Sequence, residues 1–182
     1  MRKLTMDELN RLSVENFRQA AKWPMVIVLD NVRSHHNVGS VFRTADAFRA
    51  EAVYLCGITG KPPHRDILKT ALGATESVAW TYYEKTEYAI AQLKASGWKI
   101  VAIEQVEGAT LLHRVQVSAQ EKYALVFGNE VEGISQAVLD SCDMAIEIPQ
   151  FGTKHSLNIT VSAGIVCWEF VRHWMAGSIR AV

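Results

Sequence analysis

The sequence predicts an α/β fold, a mainly parallel six-stranded sheet with helices on both faces. Two observations predict it. Short apolar runs rich in β-branched or aromatic residues recur along the chain, each bounded by turn formers. Stretches with apolar residues at helical spacing separate them, so strands and helices alternate. No internal repeat, low-complexity stretch or linker divides the chain. Residues 1–24 read as a helical extension and 25–182 as one domain, a size that buries roughly 70% of the unfolded surface.

Thr5 and Glu8 form a capping-box pattern, and Met6, Leu9, Leu12 and Phe17 roughly keep helical spacing. Pro24 is expected to end that helix. Met25–Asp30 is the first core strand, and Val38, Val41, Phe42, Ala45 and Phe48 mark the helix that follows. Ala52–Cys56 is a strand, and Pro62-Pro63 lie in a loop. Asp66–Leu72 is a short helix stopped by Gly73. Val78, Trp80 and Tyr82 alternate as in a half-buried strand. Thr86 caps a helix that Gly97 stops, and Trp98–Glu104 is the next strand. Residues 105–122 are poorly patterned and read as a loop with a helical turn. Strand Tyr123–Phe127, helix Ile134–Ser141, strand Met144–Ile148 and a helix from about Leu157 to Met175 complete the chain.

The formal net charge is zero, which is a weak mark against nucleic-acid binding but leaves room for a local basic patch. No run approaches the ~20 apolar residues of a membrane span. The first residues, MRKLTMDELNRL, lack the apolar core of a signal peptide. Cys56, Cys142 and Cys167 are odd in number and far apart. They read as reduced, buried thiols of a cytoplasmic protein. No GxGxxG, GxxxxGK[ST], HExxH or GxSxG is present, so dinucleotide, P-loop, zinc-protease and nucleophile-elbow chemistry lack their signatures. His35 and His36 are adjacent and do not face one another, and no metal site is expected.

Three polar stretches sit just beyond predicted strand ends, where open α/β sheets bind ligands. They lie in Asn37–Ala45 (NVGSVFRTA), Leu125–Ser135 (LVFGNEVEGIS) and Ile148–Ala163 (IPQFGTKHSLNITVSA). In this order they resemble the three signature motifs of the SpoU (TrmH-like) branch of the SPOUT RNA methyltransferases, across about Met25 to Trp174. Gln150-Phe151 depart from the usual pattern, in which a methionine comes first. The resemblance implies a C-terminal trefoil knot, although true knots are very rare. It also implies a homodimer through the knotted region and S-adenosyl-L-methionine as cofactor. The implied activity is methyl transfer to a ribose 2′-hydroxyl of tRNA or rRNA.

Carried onto this chain, the resemblance assigns catalysis to Asn37, Arg43, Glu130, Ser156 and Asn158. It assigns the cofactor to Ile103, Glu104, Phe127, Gly128, Asn129, Gly133, Ile148, Pro149, Ser156 and Leu157. Several of these have plainer readings. Ser156, Asn158 and Asn37 are ordinary helix caps, and Ile148 and Leu157 would suit a core. Glu130 is expected to orient Arg43 or a neighbouring loop. Neutralising a free arginine at pH 7 costs at least ~7 kcal/mol. Arg43 is therefore expected to position the target phosphate and stabilise developing charge, rather than to remove a proton.

Arg18, Lys22, Arg33, His36, Lys61, Arg65 and Lys154 are the basic groups expected to meet RNA. Larger members of the family carry an extra RNA-binding domain. Here recognition is expected to rest on the catalytic dimer and short flanking helices. The competing reading is a catalytically silent RNA-binding or assembly protein with the same fold.

Overall fold

A computed structural model of the chain describes residues 1–5 and 7–177. Its strands are β1 (Trp23–Asp30), β2 (Ala50–Cys56), β3 (Ala79–Tyr83), β4 (Trp98–Ile103), β5 (Thr110–Leu111), β6 (Lys122–Phe127) and β7 (Met144–Glu147). They form one sheet of seven strands, not six, in the order β3-β2-β1-β6-β4-β7-β5. Every pairing is parallel. The additional strand is β5, two residues long, in the stretch expected to be a loop. It pairs Thr110 and Leu111 with Ile146 and Glu147, too short a run to leave a pattern in sequence.

The helices are α1 (Val14–Gln19), α2 (His35–Ala47), α3 (Arg65–Ala71), α4 (Ala74–Ser77), α5 (Thr86–Ala95), α6 (Gln136–Leu139) and α7 (Ile159–Gly177). They cover both faces of the sheet. Met25, Ile27 and Leu29 of β1, with Leu125 and Phe127 of β6, pack in one core with α1, α2, α3, α4 and α7. Val26, Val28 and Val126 point the other way, into a core with α5 and α6. Burial on both faces is why these strands read as continuous apolar runs rather than alternating ones.

The expected first helix is broken. Thr5 and Glu8 do form the capping box, with Thr5 N–H to Glu8 Oε2 at 2.7 Å and Glu8 N–H to Thr5 Oγ1 at 3.4 Å. The box opens only a 3₁₀ turn, Asp7–Leu9. Asn10 then takes a left-handed conformation, φ 46°, which stops the helix. Ser13 caps α1 afresh, and Phe17 is the residue that α1 buries. Met6 lies outside the described residues. Pro24 belongs to β1 and ends no helix. It sits at the register shift between Trp23 and Val26, where no ladder N–H is needed.

Smaller differences are local. Thr86 is the first residue of α5 rather than its cap, and its hydroxyl donates to buried Asp30. Leu72 and Gly73 both have positive φ, and α4 follows them unannounced. Cys56 and Cys167 are buried and Cys142 is half-buried, and all three are free thiols. Burial raises their pKa values to about 12, 12 and 11, so they stay protonated at neutral pH. Among the described residues no helix is long and apolar enough to cross a membrane.

One side of α7 closes the larger core with an aromatic cluster. Phe170 meets Tyr123 edge-on at 5.1 Å between centroids, and Trp174 stacks on Trp23 at 5.8 Å. The Trp174 indole N–H donates to the Ser118 carbonyl at 3.2 Å. Phe170 is fully buried. Phe170→Ala leaves a cavity there and is expected to cost about 3–5 kcal/mol, read from urea unfolding followed by far-UV circular dichroism.

Candidate active site

A cleft of about 440 Å³ lies beyond the carboxyl ends of β4, β6 and β7. Ile103, Phe127, Ile146, Ile148 and Leu157 supply apolar lining, and Gln105, Gln150, His155 and Ser156 supply polar groups. Of the expected cofactor residues, Glu104, Gly128, Asn129 and Gly133 also line it, while Pro149 does not. Gln105, Gln150 and His155 were not singled out from the sequence. Gln105 Nε2 donates to the His155 carbonyl at 2.6 Å and so ties the loop after β4 to the loop before α7.

The wall nearest β6 is a tight hairpin. Asn129 and Gly133 exchange two backbone hydrogen bonds of 3.0 Å. The Asn129 side chain accepts the N–H groups of Val131 and Glu132 and donates to the Asn31 carbonyl at 2.8 Å. Gly133 has φ +70°, and a Cβ on Gly128 would lie 2.3 Å from the Gly133 carbonyl carbon. Both glycines are therefore dictated by the backbone. Glu104 holds the far end of the hairpin, accepting the Ile134 N–H at 3.1 Å.

Glu130 connects this wall to α2. Its carboxylate accepts the Arg33 N–H at 3.0 Å, the Ser34 N–H at 3.1 Å and the Asn37 amide at 3.0 Å. It thus orients the loop that opens α2, and no hydrogen bond joins it to Arg43. Burial pushes the Glu130 carboxyl upward, but these three donors outweigh that and hold it below the ordinary range. Ser34 is the true cap of α2, accepting the Asn37 N–H at 3.3 Å, which leaves the Asn37 side chain free. That side chain accepts from Asn158 Nδ2 at 3.4 Å. Asn158 also caps α7, accepting the Thr160 N–H at 2.8 Å, so the helix begins at Ile159 rather than Leu157. Ser156 lines the cleft and caps nothing.

Arg43 stands apart from the cleft. It lies exposed on α2, in a groove bordered by Lys69 of α3 and Thr160 of α7. The basic residues divide. Arg18 donates twice to the Glu76 carbonyl, at 2.9 and 2.5 Å, and fastens α1 to α4. Lys22 caps the carboxyl end of α1 through the Phe17 and Ala20 carbonyls. Both groups thus also bond within the fold, Arg18 remaining exposed and Lys22 half-buried. Arg33, His36, Lys61, Arg65 and Lys154 are exposed. His36 is 3.9 Å from Asp66, and Lys61 sits 4.0 Å over the Tyr82 ring. The His35 and His64 rings stack at 3.7 Å, which brings the start of α2 and the start of α3 to one rim. Among the described residues no cluster of ligating side chains could hold a metal ion.

This is an α/β protein with a cleft beyond the strand ends, where parallel sheets place ligand sites. The SpoU rRNA Methylase family profile matches residues 24–168, and the chain belongs to that family. The 23S rRNA (guanosine-2′-O-)-methyltransferase RlmB of Neisseria meningitidis serogroup B is 32% identical over 146 residues, 80% of this chain and 57% of that protein. The crystal structure of an AdoMet-bound rRNA methyltransferase from Sinorhizobium meliloti superposes with a TM-score of 0.78 at 27% identity, covering 86% of this chain and 60% of that one. The A. aeolicus TrmH/SpoU tRNA modifying enzyme shares the fold, with a TM-score of 0.80 at 24% identity over 90% of this chain and 83% of that one. The chain thus spans well under two thirds of the RlmB and Sinorhizobium proteins.

Glu130→Gln keeps one acceptor oxygen and turns an amide toward backbone N–H groups. The expected loss is about 1–2 kcal/mol at pH 7, at the low end because the carboxylate is open to water. A carboxyl held below its ordinary value of 4.5 stabilises fully above that value and loses the contribution as pH falls through its folded value. The gap between wild type and variant in urea unfolding is therefore expected to be constant near neutrality and to close in acid.

Proposed function

We propose that this chain is an S-adenosyl-L-methionine-dependent RNA methyltransferase that methylates a ribose 2′-hydroxyl of tRNA or rRNA. The observation that carries this reading is the cleft beyond β4, β6 and β7 with the Glu130–Asn37–Asn158 chain along one side. The RlmB relative is named for guanosine-2′-O methylation, and the Sinorhizobium protein holds AdoMet.

The cleft suits an adenosyl group. Ile103, Ile148 and Leu157 offer flat apolar contact, and Gln105, Gln150 and Ser156 offer polar atoms for the ribose and amino-acid ends. When bound, that cofactor supplies an electrophilic methyl group on a sulfonium. The protein's own part is positioning. Glu130 already accepts three N–H groups and is held anionic, so it anchors α2 and is a poor proton acceptor. Asn37 and Asn158 present amides at the junction of α2 and α7, where they orient the ribose. Arg43 brings a fixed positive charge for the phosphate and the developing oxyanion. Arg33, His36, Lys61, Arg65 and Lys154 supply the exposed basic groups that approach RNA.

The reading includes a homodimer. Val161, Ile165, Trp168 and Met175 form an exposed apolar stripe along α7, with Trp168 49% exposed beside Phe48. A second copy of the chain would cover it. The reading also includes a trefoil knot within residues 25–182. Its support is that β7 lies between β4 and β5, while the chain leaving β7 continues into α7, packed on α2.

Isothermal calorimetry with S-adenosyl-L-methionine is expected to give one site per chain. Labelled methyl transfer to bulk tRNA and rRNA is expected to yield 2′-O-methylnucleosides. Arg43→Ala is expected to reduce transfer at least about 100-fold and to leave cofactor affinity within two- to three-fold. RNA binding without cofactor heat would favour the catalytically silent reading.

A further inference from the structure

We propose that the groove between α2 and α3 is a phosphate subsite in which Lys69 is a second cation beside Arg43. This rests on the RNA methyltransferase reading and names a residue that neither the motifs nor the strand-end cleft point to. Lys69 lies outside all three signature stretches.

Ser40, Arg43, Thr44, Lys69, Thr70 and Thr160 share the groove, and no carboxylate lines it. Among the described residues neither Arg43 nor Lys69 pairs with a carboxylate, and what sets them apart from other unpaired surface cations is that they share one groove. Two cations without acidic partners, beside the Ser40 and Thr44 hydroxyls, are an arrangement that a phosphodiester satisfies, its charge offset by the cations and its oxygens accepting from those two hydroxyls.

The spacing of the two cations is fixed by packing. Gly39 lies one helical turn before Arg43, and a Cβ there would sit 2.1 Å from Thr70 Oγ1 and 2.2 Å from the Ile67 carbonyl oxygen. The two helices can approach so closely only because that side chain is absent. Thr70 then locks the contact, its hydroxyl donating to the His36 carbonyl at 3.0 Å. Lys69 is the neighbour of Thr70, so its root is set relative to α2. At the other end of the groove, Thr160 donates to Asn158 Oδ1 at 2.6 Å, and Asn158 reaches Asn37. A phosphate in the groove would thus lie next to the amides proposed to orient the ribose, as the phosphodiester of the target nucleotide must.

The test is Lys69→Gln, with Lys69→Arg as the charge-preserving companion. Lys99→Gln, at the amino end of β4 where its partner is Glu121, serves as the control. Binding of a fluorescein-labelled 20-nucleotide single-stranded RNA is followed by anisotropy across a salt series, with S-adenosyl-L-methionine affinity and thermal midpoint measured alongside. Lys69→Gln is expected to weaken RNA binding about three- to ten-fold. It is also expected to flatten the slope of log affinity against log salt by about 0.7, the value of one single-strand phosphate contact. Lys69→Arg and Lys99→Gln are expected to match wild type, and cofactor affinity to be unchanged in all. Unchanged RNA affinity and salt slope in Lys69→Gln, with wild type binding both RNA and cofactor, would overturn the subsite alone. A wild type that binds neither would overturn the underlying reading as well.

Discussion

One carboxylate ties together loops that lie far apart in the sequence. Glu130 reaches residues 97, 96 and 93 positions away in sequence, Arg33, Ser34 and Asn37. Its partners lie at the amino end of a 13-residue helix, where unsatisfied N–H groups and the helix dipole favour an anion. The bond therefore satisfies donors that α2 would otherwise leave open. It also holds the Asn37 amide directly and the start of the helix that carries Arg43. Every candidate group on α2 inherits its position from that contact.

The strand ends around Glu130 show how environment divides similar side chains. Asp30, at the end of β1, is almost wholly buried, and burial raises its pKa despite bonds from Thr86, Ser135 and Asn31. Glu130 is more open and meets two backbone N–H groups and an amide, and its pKa falls. Both carboxylates anchor loops. Asp30 joins β1 to α5 through Thr86 and to the residue that precedes α6, while Glu130 joins the hairpin after β6 to α2. Of the two, Glu130 lines the cleft, while Asp30 lies outside it.

Much of this was legible in sequence, and the reason is physical. Strands buried on both faces must be apolar throughout, so β1, β4 and β6 stand out as Val, Ile and Leu runs. Gly128 stands where a Cβ would lie 2.3 Å from the Gly133 carbonyl carbon, and Gly133 has φ +70°, so the hairpin demands glycine at both and the sequence shows it. What was not legible depends on partners distant in sequence. β5 exists because β7 offers an edge, and its two residues carry no period of their own. The amino-terminal helix breaks at left-handed Asn10, and among its described residues Phe17 joins the core while Leu12 remains exposed. That Arg18 and Lys22 also bond the carbonyls of Glu76, Phe17 and Ala20 could not be read from a run of basic residues. Lys69 carried no signal at all, because its interest lies in Arg43 across the groove.

Arg43 sits outside the cleft, and that placement fits its chemistry. A guanidinium among the apolar residues that line the cleft would need a carboxylate partner to offset its desolvation, and such a partner would neutralise the charge an anionic substrate needs. On the open face of α2 it needs none. The cost of that exposure is mobility, since a long side chain in water is not held. The structure offsets this at the root rather than at the tip. α2 is pinned at its start by Glu130, along its flank by the Gly39–Thr70 contact, and at its junction with α7 by the Asn37–Asn158 amide bond. A cation on a helix held at three points keeps its charge exposed and its origin fixed. Those are the two properties needed to hold a phosphate while a neighbouring hydroxyl is aligned.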